Sequence, residues 1–281
     1  MFRIFSCGDI LITQSKETII CPSLSGKIKE CRIVAGNLEA PLVSAGKPIP
    51  KAGPHLHQCE EAVQTVKKAG FTHLSLANNH IFDYGEAGLR KTLDYAKKHN
   101  IRTFGAGLTR EKAYQYHLTE ADDTKIAFLA FCEAEFGCLT AENKADAGYA
   151  YTNHKDVNTI VAQAKANADV VIVSVHAGVE KIDIPLPEWR ERYREICIAG
   201  ADAVIGHHPH VPQGWEMLQG KPVFYSLGNF HLDWKPANPN QGFGYSVVLT
   251  ISNKRIENFD ILPHHFVDGQ TKLLEIGRAH V

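Results

Sequence analysis

Three histidines, His207, His208 and His210, stand close together where the apolar run "ADAVIG" stops. Imidazole is both the commonest side-chain metal ligand and a proton carrier near neutral pH. Other short apolar runs end in comparable groups: Asp9 in "GD", Asn37 and Glu39 in "GNLE", and Asn78, Asn79 and His80 in "NNH". Further along come His176 in "VH" and Asn229 in "GN". Imidazole combined with carboxylate and amide oxygen suits Mn, Fe or Zn better than Ca or Mg. Two such ions about 3.5–4 Å apart can activate a water and neutralise charge developing on a substrate. Each group alone has a plainer reading. His176 could be structural or on the surface, and "NNH" could be a turn, because Asn tolerates left-handed backbone. Their shared position at strand ends is what argues for a site. An extended loop would bring His208 and His210 to one side, and Pro209 biases His208 toward that conformation.

Elements able to position these residues are legible as strand-like runs at 2–9, 31–37, 72–79, 169–176, 202–208 and 222–230. Amphipathic helical patterns occupy 59–69, 86–99, 155–166 and 187–199, the last with a Pro in its first turn. Segments 114–118 and 125–132 read as a hairpin, as do 244–252 and 255–263. Alternating strands and helices predict an α/β layered fold, in which ligands gather beyond the carboxyl ends of the strands. No linker or internal repeat divides the chain, so one domain is expected over 1–274. "EIGRAHV" at 275–281 reads as a non-native scar.

The remaining candidates have plainer roles. His55 and His57 lie in a Pro/Gly-rich loop expected to flank the mouth of the site rather than bind metal. His264 and His265 are expected on the surface, and His73, His99, His117 and His154 at strand edges or helix ends. Glu133 and Glu135 could line the cleft, although solvated loop acids are commoner.

Bulk composition narrows the partners. Net charge is -1 with no block of Lys or Arg, which argues against nucleic acid but leaves an anionic small molecule or polymer open. The seven cysteines follow no disulfide framework and fit a reducing compartment. No apolar window reaches the ~20 residues needed to span a bilayer. The N-terminus reads as a strand, so the chain as given is expected in the cytoplasm, with cell-envelope association if an export segment precedes it. No feature sets an oligomeric state.

The segments "GDIL", "GNLEAPL", "SLANNHIFDYGEAGL", "VSVHAGVE", "GADAVIGHHPHVPQG" and "YSLGNF" occur in the order of the bacterial capsule-synthesis CapA-like family. The sequence resembles that family from about Phe2 to Ile261. The family is associated with poly-γ-glutamate synthesis and is similar to calcineurin-like metallophosphoesterases. The resemblance implies a two-sheet sandwich flanked by helices, with two divalent ions at one edge. It makes Asp9 a ligand of the first ion and Glu39, with Asn37, the bridging group. Asn79 would serve the second ion, with His176, His208 and His210 completing the set. His80 would protonate the leaving group. Asp83 would orient His80 or cap the next helix, and the cap is the expectation.

Departures from the ordinary metallophosphoesterase pattern are specific. Leu11 stands where a His follows the first Asp, Asn37 and Glu39 stand for two aspartates, and Asn78 and Ile81 replace a Gly and an acid around "NH". Against these departures, the resemblance as a whole implies a binuclear metal-dependent hydrolase of a phosphoester or related bond. Its alternative is a non-catalytic accessory component that binds poly-γ-glutamate or a membrane synthase. His207 fits a neighbour of the ligands, a substrate-facing group or, with a slip in register, a ligand.

Overall fold

The computed structural model describes residues 1–42, 46–137, 147–233 and 239–274; the segment 275–281 lies outside the described residues. The first half of the chain contains β1 (Phe2–Leu11), α1 (Pro22–Lys29), β2 (Ile33–Leu38), α2 (Ala62–Lys68), β3 (His73–Ser75), α3 (Gly85–Lys98) and β4 (Arg102–Phe104). A short ribbon of β5 (Ala106–Gly107) with β8 (Gly148–Tyr149) brackets α4 (Arg110–Tyr114), β6 (His117–Ala121) and β7 (Thr124–Cys132). The second half contains α5 (Val157–Asn167), β9 (Val170–His176), α6 (Pro187–Ala199), β10 (Ala203–His207), β11 (Trp215–Leu218) and β12 (Lys221–Phe224). It closes with β13 (Asn229–Leu232), β14 (Phe243–Ser252), β15 (Arg255–Val267) and β16 (Gln270–Leu273).

Two large sheets result. One runs β16-β15-β14-β1-β2-β3-β4, with β13 also paired to β1, and the other runs β11-β12-β10-β9-β7-β6. Strands β1 to β4 are mutually parallel, as are β7, β9, β10 and β12. Side chains alternate across a strand, and the core follows that alternation. Ile126, Phe128 and Ala130 of β7, with Val170 and Ile172 of β9, join Ile4, Phe5, Leu74 and Phe104 of the first sheet in one cluster. Their neighbours Ala127, Leu129, Phe131, Val171, Val173 and Val175 face the other way, onto Val157 and Val161 of α5 and Tyr193 and Ile196 of α6. The near-continuous apolar runs are thus strands covered on both faces. The molecule is the expected two-sheet sandwich flanked by helices.

Two sequence expectations change. The 72–79 run is strand only over His73–Ser75, and the rest forms the loop that carries Asn78, Asn79 and His80. "PVFYSLGNF" is two strands in different sheets, because 225–228 crosses between them. Ser226 Oγ accepts from Gly228 N (3.1 Å) and donates to the Val211 carbonyl (2.8 Å), and Gly228 turns with φ +70°. The crossing binds both sheets: Asp9 N donates to the Gly228 carbonyl (3.2 Å) and Leu227 N to the Gly206 carbonyl (3.1 Å). It passes so close that a Cβ at Gly8 would lie 1.8 Å from the Gly228 oxygen, and one at Gly206 1.9 Å from the Tyr225 oxygen. Among the described residues no helix is long and apolar enough to cross a membrane.

Candidate metal centre

Parallel strands deliver their last residues to one edge. Asp9 of β1 is in register with Asn37 of β2, and His176 of β9 with His207 of β10. The edge therefore brings together Asp9, Asn37, Glu39, Asn79, His176, His207, His208 and His210, each 5% exposed or less. The pair around Pro209 is not extended as expected: His208 has φ +95° and His210 φ +57°. Such backbone in residues other than Gly costs about 1–3 kcal/mol and persists only where the surroundings enforce it. Here His208 N donates to Asp9 Oδ2 (3.3 Å), and Asn229 Nδ2 donates to the His210 carbonyl (3.1 Å).

One group of ligand atoms surrounds a point beside His176. Its Nε2 lies 3.1 Å from Asn79 Oδ1, 3.1 Å from His208 Nδ1 and 3.6 Å from Glu39 Oε1. A second group surrounds Asp9, with Oδ1 3.3 Å from His207 Nδ1 and Oδ2 3.4 Å from His210 Nδ1. Asn229 Nδ2 also donates to the Gln241 carbonyl (2.9 Å), so its Oδ1 accepts from His210 Nδ1 (2.9 Å), and the lone pair of that ring is on Nε2. Asn37 Nδ2 donates to Asp9 Oδ1 (2.8 Å) and Glu39 Oε2 (2.6 Å). Asn37 thus turns its nitrogen to the two carboxylates, whereas the expected bridging role calls for its oxygen there.

The donor set fits divalent ions. Glu39 Oε1 and His207 Nδ1 are buried without a hydrogen-bond partner of ordinary geometry, a costly state that a cation between them and their neighbours would relieve. Burial, and then the charge of Asp9, push the Glu39 carboxyl well above its usual range. Burial acts the same way on Asp9, yet the imidazoles of His207, His176 and His210 hold its carboxyl well below that range. Two adjacent buried carboxylates ionise together only with positive charge nearby. Burial, then His208, lowers His176, and burial, then His210, lowers His208 to about 3, so both rings stay in the neutral form that binds metal.

His80 sits beside this cluster. Its Nδ1 lies 2.8 Å from Asp83 Oδ2, and a carboxylate only accepts, so that nitrogen carries a proton and Nε2 is free to face a substrate. Asp83 caps no helix, correcting the expectation: α3 begins after Tyr84 without a side-chain cap. Both Asp83 oxygens are committed, one to Lys51 Nζ and the other to His80 and Leu56 N (2.7 Å). The loop of His55 and His57 supplies those donors, and His55 itself bonds the Ile49 carbonyl (2.6 Å). Lys51, almost wholly buried, also lies 5.0 Å over the Phe136 ring.

Sequence reasoning undervalued Glu133. Its Oε1 lies 3.2 Å from His208 Nε2, and burial, then Glu135, push its carboxyl up to about 7. Its position just past β7, the strand beside β9, was the available signal. His264 is not on the surface but fully buried, edge-on to Phe230 at 5.2 Å, because β15 folds back over β13. His73 is likewise buried, between Thr72 Oγ1 and Thr119 Oγ1 (both 2.8 Å).

A family model described as bacterial capsule synthesis protein PGA_cap matches residues 3–233. Capsule biosynthesis protein CapA of Bacillus anthracis is 32% identical over 260 residues, covering 90% of this chain and 59% of that protein. PGA biosynthesis protein CapA of Bacillus subtilis is 36% identical over 207 residues, covering 71% of this chain and 53% of that protein. The chain thus spans a little over half the length of these relatives. Among solved structures, a putative 5′-nucleotidase from Staphylococcus aureus superposes with a TM-score of 0.57 at 16% identity, over 95% of this chain and 54% of that one. That likeness shows a shared fold.

Proposed function

Because this chain belongs to the bacterial capsule synthesis protein family PGA_cap, we propose that its edge cluster holds two divalent ions and hydrolyses a phosphoester or related bond of an anionic substrate. The observation that carries this is the gathering of Asn79 Oδ1, His208 Nδ1 and Glu39 Oε1 within 3.6 Å of the buried His176 Nε2. When bound, the ions would supply an activated water and charge neutralisation for in-line displacement. Asp9 and His210 would hold the first ion, Asn79, His176 and His208 the second, and Glu39 would lie between them. His207, with Nδ1 against Asp9 Oδ1, would be a further donor to the first ion.

The protein's own residues do the rest. Asp83 orients His80 through Nδ1, and Lys51 and Leu56 N hold Asp83 in turn. His80 Nε2 would give a proton to the leaving group. The Bacillus relatives are named for capsule and PGA biosynthesis, and an acidic polymer of that kind, whose amide linkages would be the related bond cleaved, is the substrate class we assign. One observation favours a second reading, a non-catalytic accessory component. Leu11, packed in an apolar cluster with Ala40 and Leu232, stands where ordinary metallophosphoesterases carry an imidazole.

Elemental analysis of the purified protein, with phosphoester assays run with and without Mn, tests both. Two equivalents of metal with Mn-dependent turnover is expected. Two equivalents without turnover favours the accessory reading, and near-zero metal even after reconstitution sinks the metal centre.

A further inference from the structure

Two of the residues that set this chain apart from the ordinary metallophosphoesterase pattern, Asn37 and Asn78, touch each other. Asn78 is oriented by backbone: Ala40 N donates to its Oδ1 (3.3 Å), and its Nδ2 donates to the Leu38 carbonyl (2.8 Å). The same Nδ2 donates to Asn37 Oδ1 (3.2 Å). An amide whose oxygen is taken must present its nitrogen on the other side. Asn37 Nδ2 accordingly reaches Asp9 Oδ1 and Glu39 Oε2, both on carboxyls with no exposed surface. We infer that Asn78 and Asn37 form an amide relay that clamps the Asp9 and Glu39 carboxylates at a fixed spacing. Among the described residues, Glu39 Oε1 is left without a hydrogen-bond partner, and Asp9 Oδ2 accepts only from His208 N and keeps a lone pair for a cation.

The inference rests on the metal-centre reading above and makes Asn37 and Asn78 positioning residues, not ligands. Register explains the need. Asn37 lies directly across from Asp9, where the ordinary pattern places a third acid in this buried space. The amide keeps the same shape and supplies two donors instead. Asn78 also fixes the turn after Glu39, where Ala40 has φ +83°. Flipping Asn37 to aim its oxygen at an ion would break its hydrogen bonds to Asn78, Asp9 and Glu39.

The test is a double-mutant cycle on the full chain, using Asn37→Ala, Asn78→Ala and both together, read by calorimetric titration with Mn. Losing a residue that orients ligands weakens metal binding by about 10–100-fold. Asn78→Ala should cost about tenfold in the wild-type background and under about threefold once Asn37 is Ala, because the two residues act as one unit. An equal factor in both backgrounds overturns the relay and leaves Asn78 a mere support for the turn. A wild-type protein that takes up no Mn removes the metal reading instead. Urea midpoints of the same four metal-free proteins then decide the relay, which requires the two losses to be non-additive and fails if they add.

Discussion

Two sets of buried histidines, equally hidden from water, differ in everything that matters for chemistry. At the sheet edge His176 and His207 are 1% and 2% exposed; in the first sheet His231 and His264 are 0% exposed. Burial lowers His208 at the edge and His264 in the core alike to about 3. The neighbours separate them. His264 packs edge-on to Phe230 and His231 edge-on to Phe266 at 4.8 Å, so these rings have aromatic neighbours. The edge rings face Asp9, Glu39, Asn79 and one another through nitrogens within 3.1–3.6 Å. Depth of burial is thus silent on function, whereas convergence of lone pairs on a common point is not.

The sharpest way to break the comparison is to remove one ring from each set. His208→Ala should lose at least one equivalent of metal in elemental analysis, while His264→Leu keeps both; equal metal content in the two variants would erase the distinction. His80→Ala separates holding from turning over. It should retain metal and lose about 10²–10⁴-fold in kcat, measured with a Mn-supported phosphoester assay. Loss of metal in that variant would contradict the role given to His80.

A smaller effect belongs to Glu133→Gln, which replaces the carboxylate facing His208 Nε2. Mn affinity should fall by about tenfold through loss of ring orientation, as calorimetry would show, and an unchanged affinity would detach Glu133 from the site. The smallest effect concerns His264 and pH. Its folded pKa of about 3, set by burial and then by His265, lies below the ~6.5 of an unfolded chain. Acid therefore protonates the unfolded state first. The stability contributed by the neutral ring is complete above about pH 6.5 and is lost as pH falls from there toward 3. His264→Leu should flatten the decline of the urea midpoint between pH 6.5 and 4.5, and an unaltered slope would refute the assignment.

Strand ends were the legible part of this molecule. Apolar runs covered on both faces announced β1, β2, β9 and β10, and the residues just beyond them are those that the parallel sheets gather. Orientation was not legible. Whether Asn37 presents oxygen or nitrogen depends on Asn78, 41 residues away, and whether Asp83 caps α3 or holds His80 depends on Lys51 and Leu56. Spacing along a chain carries no such information, because these choices are made by partners distant in sequence. "PVFYSLGNF" misled for a related reason: continuous hydrophobicity concealed a change of sheet enforced by Ser226 and Gly228.

The crossing at 225–228 also has a bearing on timing. All the ligands proposed here lie between Asp9 and His210, yet the segment that fastens their two sheets together is made later in the chain, joining Asp9 N to the Gly228 carbonyl and the Gly206 carbonyl to Leu227 N. A nascent chain that had just produced His210 would carry every ligand and still lack the fastening. Contacts over such sequence separations form late in folding. On the metal-centre proposal, an ion would find its full set of ligands fastened in place only once the chain has passed residue 228.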